Sequence, residues 1–138
     1  MSLKEVITKF LNIAKNQANI NFVGEGDIYS LNSLPNIDYS VFFVTQQQHR
    51  QSEDVISYNL ILYYVDRLTE TGDNTLDIQS NGVILLGNII NTFINENDAD
   101  ISYDITYQTF LHKFADKCAG VYATISVDVA NNIGLCNF

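Results

Sequence analysis

The feature that most constrains the fold is an alternating run near the end of the sequence. From Val121 to Val129, aliphatic residues at odd positions alternate with Tyr, Thr, Ser and Asp at even positions. A period of two places all the odd side chains on one face, so the run predicts a β-strand with one buried side. A sheet containing such a strand needs a second layer over its apolar face, and the rest of the chain must supply that layer.

Two segments have the apolar period of amphipathic helices and can form the second layer. The first covers about residues 3–18 and begins with Ser2 and Glu5 at the spacing of a capping box. The second covers about residues 76–93. Its two glycines, Gly82 and Gly87, either weaken this helix or mark close approach to a neighbouring element.

Between the two helices, a long stretch without strong turn-formers predicts a β-hairpin. Residues 38–58 contain no Gly, Pro or Asn, and the best turn lies at Ser52-Glu53-Asp54. Strands are therefore predicted at about 38–49 and about 55–66.

Folding the hairpin at that turn sets Val44 near Ile61 and the glutamines near Tyr58. The inner half of the hairpin is then apolar on both faces, whereas the outer half, Gln46–Gln51, is polar. A strand pair that outruns its own core is either a projecting arm or an extension of the sheet. We expect a projecting hairpin over about residues 38–66.

A short strand at 20–23 and a strand at 101–107 complete the sheet, and residues 110–115 fit a helical turn or a structured loop. The order predicts one α+β domain over residues 1–138, with a mixed or mainly antiparallel sheet and two main helices packed on one face. Two helices cannot cover both faces of a five-stranded sheet. The outward aromatic residues of the hairpin are therefore expected to meet another subunit. They are either Tyr58 and Tyr64 or Tyr63, together with Phe42 or Phe43. The predicted interface comprises Gln46, Gln47, Gln48, His49, Arg50, Gln51, Tyr58 and Tyr64.

Charge and composition limit the partners of the chain. A net charge of −9 with seven scattered basic residues argues against binding to nucleic-acid backbones, which needs clustered Lys and Arg. The first residues lack the layout of a signal peptide, and no apolar run is long enough for a membrane span. Cys118 and Cys136 have no metal-site spacing, so we expect free thiols in a reducing cytoplasm.

No catalytic, cofactor or metal motif is recognisable. Asp98, Asp100 and Asp104 resemble a calcium loop but lack the glycine and glutamate that an EF-hand needs. His112 and Cys118, with Asp116 between them, form the best pair for nucleophilic chemistry. They support an alternative hypothesis, a small-ligand-binding or hydrolytic α+β domain, although no flanking motif accompanies them.

The layout of the chain resembles that of small phage head–tail joining and tail-terminator (tail-completion) proteins. The resemblance lies in the opening helix LKEVITKFLNIAKNQ, the strand SYNLILYYVDRL leading through TETGDNTLD into the helix IQSNGVILLGNIINTFIN, and the closing strand GVYATISVDVAN. It is a likeness of element order over most of the chain, not of an invariant motif.

This resemblance implies a non-enzymatic virion protein assembled in the cytoplasm of a bacterial host. Members of the family form rings at the neck or at the end of the tail tube, stop polymerisation and contact other neck or tail proteins. DNA passes through the lumen of such a ring without specific binding, and an acidic chain suits that passage. The resemblance implies no cofactor, no membrane and no catalytic residue.

Overall fold

A computed structural model of the chain describes residues 1–28, 38–97, 100–101, 105–111 and 118–130. Within these residues, two helices and seven strands form an α+β fold with one mixed sheet, as the sequence predicts. In chain order the elements are α1 (Leu3–Lys15), β1 (Phe22–Glu25), β2 (Val41–Gln46), β3 (Arg50–Gln51), β4 (Val55–Arg67), α2 (Thr75–Asn97), β5 (Asp100–Ile101), β6 (Thr106–Leu111) and β7 (Cys118–Ala130).

Strand β4 is the centre of the sheet. It pairs antiparallel with β2 and β3 on one side and with β7 on the other, and β1 adds parallel to β2. The β4–β7 ladder runs over the full length of both strands, from Val55↔Ala130 to Arg67↔Cys118. The hairpin is therefore an extension of the sheet and does not project as an arm, because β7 supports β4 up to the turn.

The hairpin register differs by one residue from the prediction. Val44 pairs with Leu62 and not with Ile61. Between the pairs Gln46↔Leu60 and Arg50↔Ser57, residues 47–49 stand opposite residues 58–59, so the first strand carries one extra residue. This is a β-bulge, which bends the strand locally and increases its twist.

Both helices pack on the same face of the sheet, as predicted. The N–H of Glu5 donates to Ser2 Oγ at 3.2 Å, which confirms the predicted cap, and α1 ends at Lys15 instead of residue 18. The rings of Phe10 and Phe93 stack at 4.1 Å between the centroids and join the two helices over the main core.

The second face of the sheet carries its own apolar cluster, which the sequence prediction missed. Phe43 and Tyr63 are only 2% and 5% exposed, and Ile28 and Cys118 are buried with them. The rings of Tyr63, Phe110 and Tyr122 pack against one another with centroids 5.4–6.4 Å apart. The expectation of an uncovered aromatic face is therefore wrong for these side chains, because aromatic rings lying on the sheet cover one another without a helix.

Two other expectations change in detail. Phe110 and Leu111 belong to strand β6 and not to a helical turn. The remaining residues of that turn, the acidic loop at 98–99 and 102–104, and the tail after Ala130 lie outside the described residues. Within the described residues, neither helix is long and apolar enough to cross a membrane.

Candidate functional site

The predicted interface lies at an open edge of the sheet. Strand β1 covers β2 only as far as Glu25↔Val44, and the Gly26 N–H then donates to the Val44 carbonyl at 3.0 Å. Gly26 has a φ of 121°, a conformation that favours glycine, and β1 ends before it. Ile28 is then buried on the second face of the sheet. Beyond this point, no strand among the described residues pairs with the outer side of Thr45–Gln51.

Asn59 holds the bulge in this edge. Its carbonyl accepts from the Gln47 N–H at 2.9 Å, and its side-chain amide donates to the Gln48 carbonyl at 2.7 Å. Its backbone N–H donates to Nδ1 of His49 at 3.1 Å. In a regular ladder, a backbone carbonyl of the neighbouring strand would accept this hydrogen bond. At the bulge, the imidazole of His49 accepts it instead.

The other side of the His49 ring is also occupied. Its Nε2 lies 3.0 Å from Gln46 Oε1, and the ring meets Tyr58 edge-on at 5.6 Å between the centroids. Because Nδ1 accepts a hydrogen bond, Nε2 carries the proton of the neutral ring and donates it to Gln46. His49 therefore has a structural role in the edge.

The structure divides the predicted interface residues into two groups. Gln46, Gln47, Gln48, Arg50 and Gln51 are exposed and His49 is half-buried, so these six remain a predicted contact surface. Tyr58 and Tyr64 are only 9% and 5% exposed and belong to the core under the helices. Their assignment to an interface is wrong, because even-numbered side chains of the central strand β4 point toward α1 and α2.

Grooves flank the open edge on both sides. On the helix side, a groove of about 320 Å³ is lined by Leu3, Lys4, Ile7, Thr8, Leu11, Glu25 and Gln46. A second groove, of about 430 Å³, is lined by Gly26, Asp27, Ile28, Thr45 and Gln46. Gln46 borders both, so the edge strand separates two recesses.

Sequence reasoning missed the opposite edge of the sheet. Strand β6 pairs with β7 on one side, and no described residue pairs with its other side. Three of the four exposed large apolar side chains among the described residues lie on β6 or on α2, which packs beside it. They are Leu111 (49% exposed), Leu76 (76%) and Ile84 (61%). The segment Thr106–Leu111, TYQTFL, carries no charge, and this feature of the sequence could have indicated an edge strand able to pair with another strand.

A polar cleft of about 440 Å³ lies at the far end of β4. The described residues that line it are Ala18, Asn19, Asn21, Tyr39, Ser40, Tyr64, Asp66, Asn81 and Leu85. Burial raises the pKa of the Tyr64 phenol above its ordinary value of 10.0, the Asp66 charge raises it further, and a hydrogen bond with Ser40 partly offsets this. The Ser40 hydroxyl also donates to the Asn19 carbonyl.

Cys118, the predicted nucleophile, lies outside the polar cleft. Cys118 is fully buried in the apolar cluster on the second face of the sheet, and it does not line the polar cleft. His112 and Asp116, its proposed partners, and Cys136 lie outside the described residues. Within the part of the chain that the structure describes, no group of three or more His, Cys, Asp or Glu side chains is placed to hold a metal ion.

Comparison of the chain with models of known protein families and with curated proteins gave no match.

Proposed function

We propose that the chain is a non-enzymatic structural protein of a phage virion that forms a ring at the neck or tail. The ring joins neighbouring neck or tail proteins and lets DNA pass, in the manner of tail-terminator or head–tail connector proteins. The resemblance in element order motivates the choice of family, and the sheet edges support self-assembly.

The observation that carries this proposal is that the described sheet is open at two opposite edges. One edge consists of β1 and of Thr45–Gln51, which β1 leaves uncovered, and the other consists of β5 and β6. Strands β4 and β7 lie between the two edges. Two different patches on opposite sides of a subunit favour a head-to-tail contact, and such contacts close into a ring when the rotation between subunits permits. The net charge of −9 is compatible with a lumen that DNA crosses without binding.

Native mass spectrometry and negative-stain imaging of the full chain test the assembly. We expect rings with one defined copy number, and peptides of the chain in purified virions. A protein that stays monomeric at its highest soluble concentration, and that virions lack, would overturn the proposal.

A second candidate function, the binding of a small polar ligand, is favoured by the cleft around Tyr64 and Asp66. Several polar groups converge there, as they do in ligand sites. A thermal-shift screen of small polar compounds tests this hypothesis. A hit whose shift is lost in Asp66→Asn but kept in Gln51→Ala would support ligand binding, and a screen without hits would speak against it.

A further inference from the structure

The geometry points to a specific contact between copies of the chain, and this inference rests on the ring assembly proposed above. The outer edge of β6 in one copy adds as a strand to the open edge at Thr45–Gln51 in the next copy. The sheet then continues from each subunit into its neighbour. Strand addition of this kind gains affinity from main-chain hydrogen bonds and specificity from pockets for alternate side chains.

The edge at Thr45–Gln51 has the features that an added strand requires. Gln47 directs its N–H toward β4, so the N–H of Gln46, its neighbour, points to the open side. A strand lying along this edge would continue the line of β1, which ends where the edge begins. Its side chains would alternate between the two grooves, one on each face of the sheet.

Strand β6 has the features of the incoming partner. Its six residues, TYQTFL, include no charge and no proline, which are common means of preventing edge-to-edge pairing. Tyr107, Thr109 and Leu111 alternate onto the face that carries the helices, since they pair with Ala123, Val121 and Ala119 of the main core. Leu111 is exposed and is the apolar side chain that would enter the groove lined by Leu3, Ile7 and Leu11.

The same arrangement accounts for the exposed apolar residues of α2. Helix α1 contacts β1 and β2 at one side of the sheet, whereas α2 contacts β7, β4 and β6. Joining β6 to the open edge of the next copy brings α2 of one subunit beside α1 of the other. Leu76 and Ile84 would then face Leu3 and Leu11, the half-buried leucines of the neighbouring α1. The contact buries apolar surface on the helix layer as well as pairing the strands.

The bulge at residues 47–49 argues against pairing between two copies of the same edge. A bulge disrupts the regular ladder, and two bulged edges facing each other would combine their irregularities. Strand β6 pairs with β7 in one continuous register from Thr106↔Thr124 to Leu111↔Ala119 and shows no bulge. Pairing of the regular strand β6 with the bulged edge therefore disrupts fewer ladder hydrogen bonds than pairing of two bulged edges.

Cross-linking between two singly substituted proteins tests this contact. One protein carries Leu11→Cys and the other Leu111→Cys, both with Cys136→Ser, and they are mixed before treatment with a short bis-maleimide. We expect a covalent heterodimer of the two variants. In the matched control, Asn91→Cys replaces Leu111→Cys at an exposed position toward the other end of α2, and no covalent product should form.

The outcomes separate this inference from the ring proposal. If the protein forms rings but gives no cross-link between positions 11 and 111, the edge contact is overturned and the ring proposal stands. The same holds if cross-links form only between two copies of position 11 or two copies of position 111. A chain that forms no oligomer under any condition overturns both.

A second measurement uses charge to block the edge. Leu111→Lys would place an ammonium group against Leu3, Ile7 and Leu11 of the groove. We therefore expect the dissociation constant of the subunit contact to be at least about tenfold higher than for the unaltered chain. Asn91→Lys adds the same charge outside the contact and should leave assembly unchanged. Equal effects of the two variants, with unchanged thermal unfolding in both, would contradict the assignment.

Discussion

At the scale of single residues, His49 shows how a side chain that looks reactive can serve as part of the backbone network. Its Nδ1 accepts from the Asn59 N–H at 3.1 Å and its Nε2 contacts Gln46 at 3.0 Å, so both nitrogens are used within the edge. A catalytic base needs a free lone pair directed at a substrate. In this geometry, His49 satisfies a donor that the bulge would otherwise leave without a protein partner.

Replacement of His49 by alanine should destabilise the fold. The Asn59 N–H loses its acceptor in a partly buried position, and the unfolding free energy should fall by about 1 kcal/mol in urea titrations. Gln51→Ala, in the same edge, is the control and should change it by less than about 0.5 kcal/mol. Long-range ¹H–¹⁵N spectra should show the neutral ring with its proton on Nε2. A proton on Nδ1 would contradict the hydrogen bond to Asn59.

The two glycines of α2 should respond in opposite ways to substitution by alanine. A Cβ at Gly82 would overlap a methyl group of Val121 and lie 2.8 Å from Cδ2 of Tyr64, so Gly82→Ala should cost about 1–3 kcal/mol. At Gly87 the nearest neighbour is the Tyr107 hydroxyl at 3.4 Å, which leaves room for a methyl group. Gly87→Ala should therefore stabilise the helix by up to about 1 kcal/mol.

Chemical denaturation of both alanine variants measures this difference directly. The comparison is internally matched, because the same substitution is made in the same helix five positions apart. Equal changes at the two sites would show that the helix shifts to relieve the overlap at Gly82.

At the scale of elements, local periodicity predicted the helices and the longest strands well. The cap at Ser2, the second helix and the alternation in β7 were predicted from neighbouring residues within one element. The second helix was predicted over about 76–93 and extends over 75–97. The hairpin register did not follow, because the bulge depends on how Asn59 meets residues 47–49 across the sheet. Pairing across strands is a tertiary property, and a one-residue insertion leaves no periodic signal.

The assignment of Tyr58 and Tyr64 to an interface failed for a related reason. The alternation in β4 shows that these two share a face, but apolar residues occupy both faces of that strand. Which face lies under the helices is decided by the pairing with β7, whose odd-numbered residues line the core. The polar tract Gln46–Gln51 was assigned to the surface from polarity alone, and those residues are exposed or half-buried.

The loop between β4 and α2 gives a prediction for acidic pH. The Thr69 hydroxyl donates to Asp73 at 2.7 Å, and this bond, followed by one from Thr71, holds the pKa of Asp73 below its ordinary value of 3.8. A lowered folded-state pKa gives stability that is present above pH 3.8 and lost as the pH falls through the folded-state value. We expect carboxyl ¹³C titration to show Asp73 ionised at pH values where a free aspartate is half protonated.

Removal of the donor tests the cause of this shift. In Thr69→Val, the pKa of Asp73 should rise toward 3.8. Thr75→Val is the control, because the Thr75 hydroxyl donates to the Gly72 carbonyl at 2.8 Å and not to Asp73. If the pKa of Asp73 is equally low in both variants, the hydrogen bond from Thr69 is not the cause of the shift.

At the scale of the whole molecule, the two faces of the sheet are covered by different means. Helices cover one face, and aromatic rings with Ile28 cover Phe43 and Tyr63 on the other. Among the described residues of helices and strands, the exposed large apolar side chains are therefore Leu76, Ile84 and Leu111, on α2 and β6. The sequence argument compared the number of helices with the number of strands. It missed the aromatic cover of the second face, because it assumed that only a helix can cover a sheet.

The burial of Tyr64 and Tyr107 on the helix-covered face of the sheet should lower the stability of the molecule at alkaline pH. Burial raises the pKa of Tyr64 and Tyr107 above 10.0, and the Asp66 charge adds to the effect at Tyr64. A raised folded-state pKa gives stability that is fully present below pH 10.0 and lost as the pH rises through the folded-state value. The unfolding free energy from urea titrations should therefore decline above about pH 10, where the unfolded chain releases these protons first.

Phenylalanine substitutions should separate the two contributions. Tyr64→Phe loses the hydrogen bond to Asp66, so it should be less stable than the unaltered chain at neutral pH but should show a shallower decline above pH 10.0. Tyr107→Phe removes the burial effect at its own ring, so its stability should also decline less steeply above pH 10.0 than that of the unaltered chain. Ultraviolet titration of the folded protein should show one tyrosine fewer with a raised pKa in each variant. An unchanged slope in Tyr64→Phe would mean that the phenol at the polar cleft is hydrated and that burial does not control its proton.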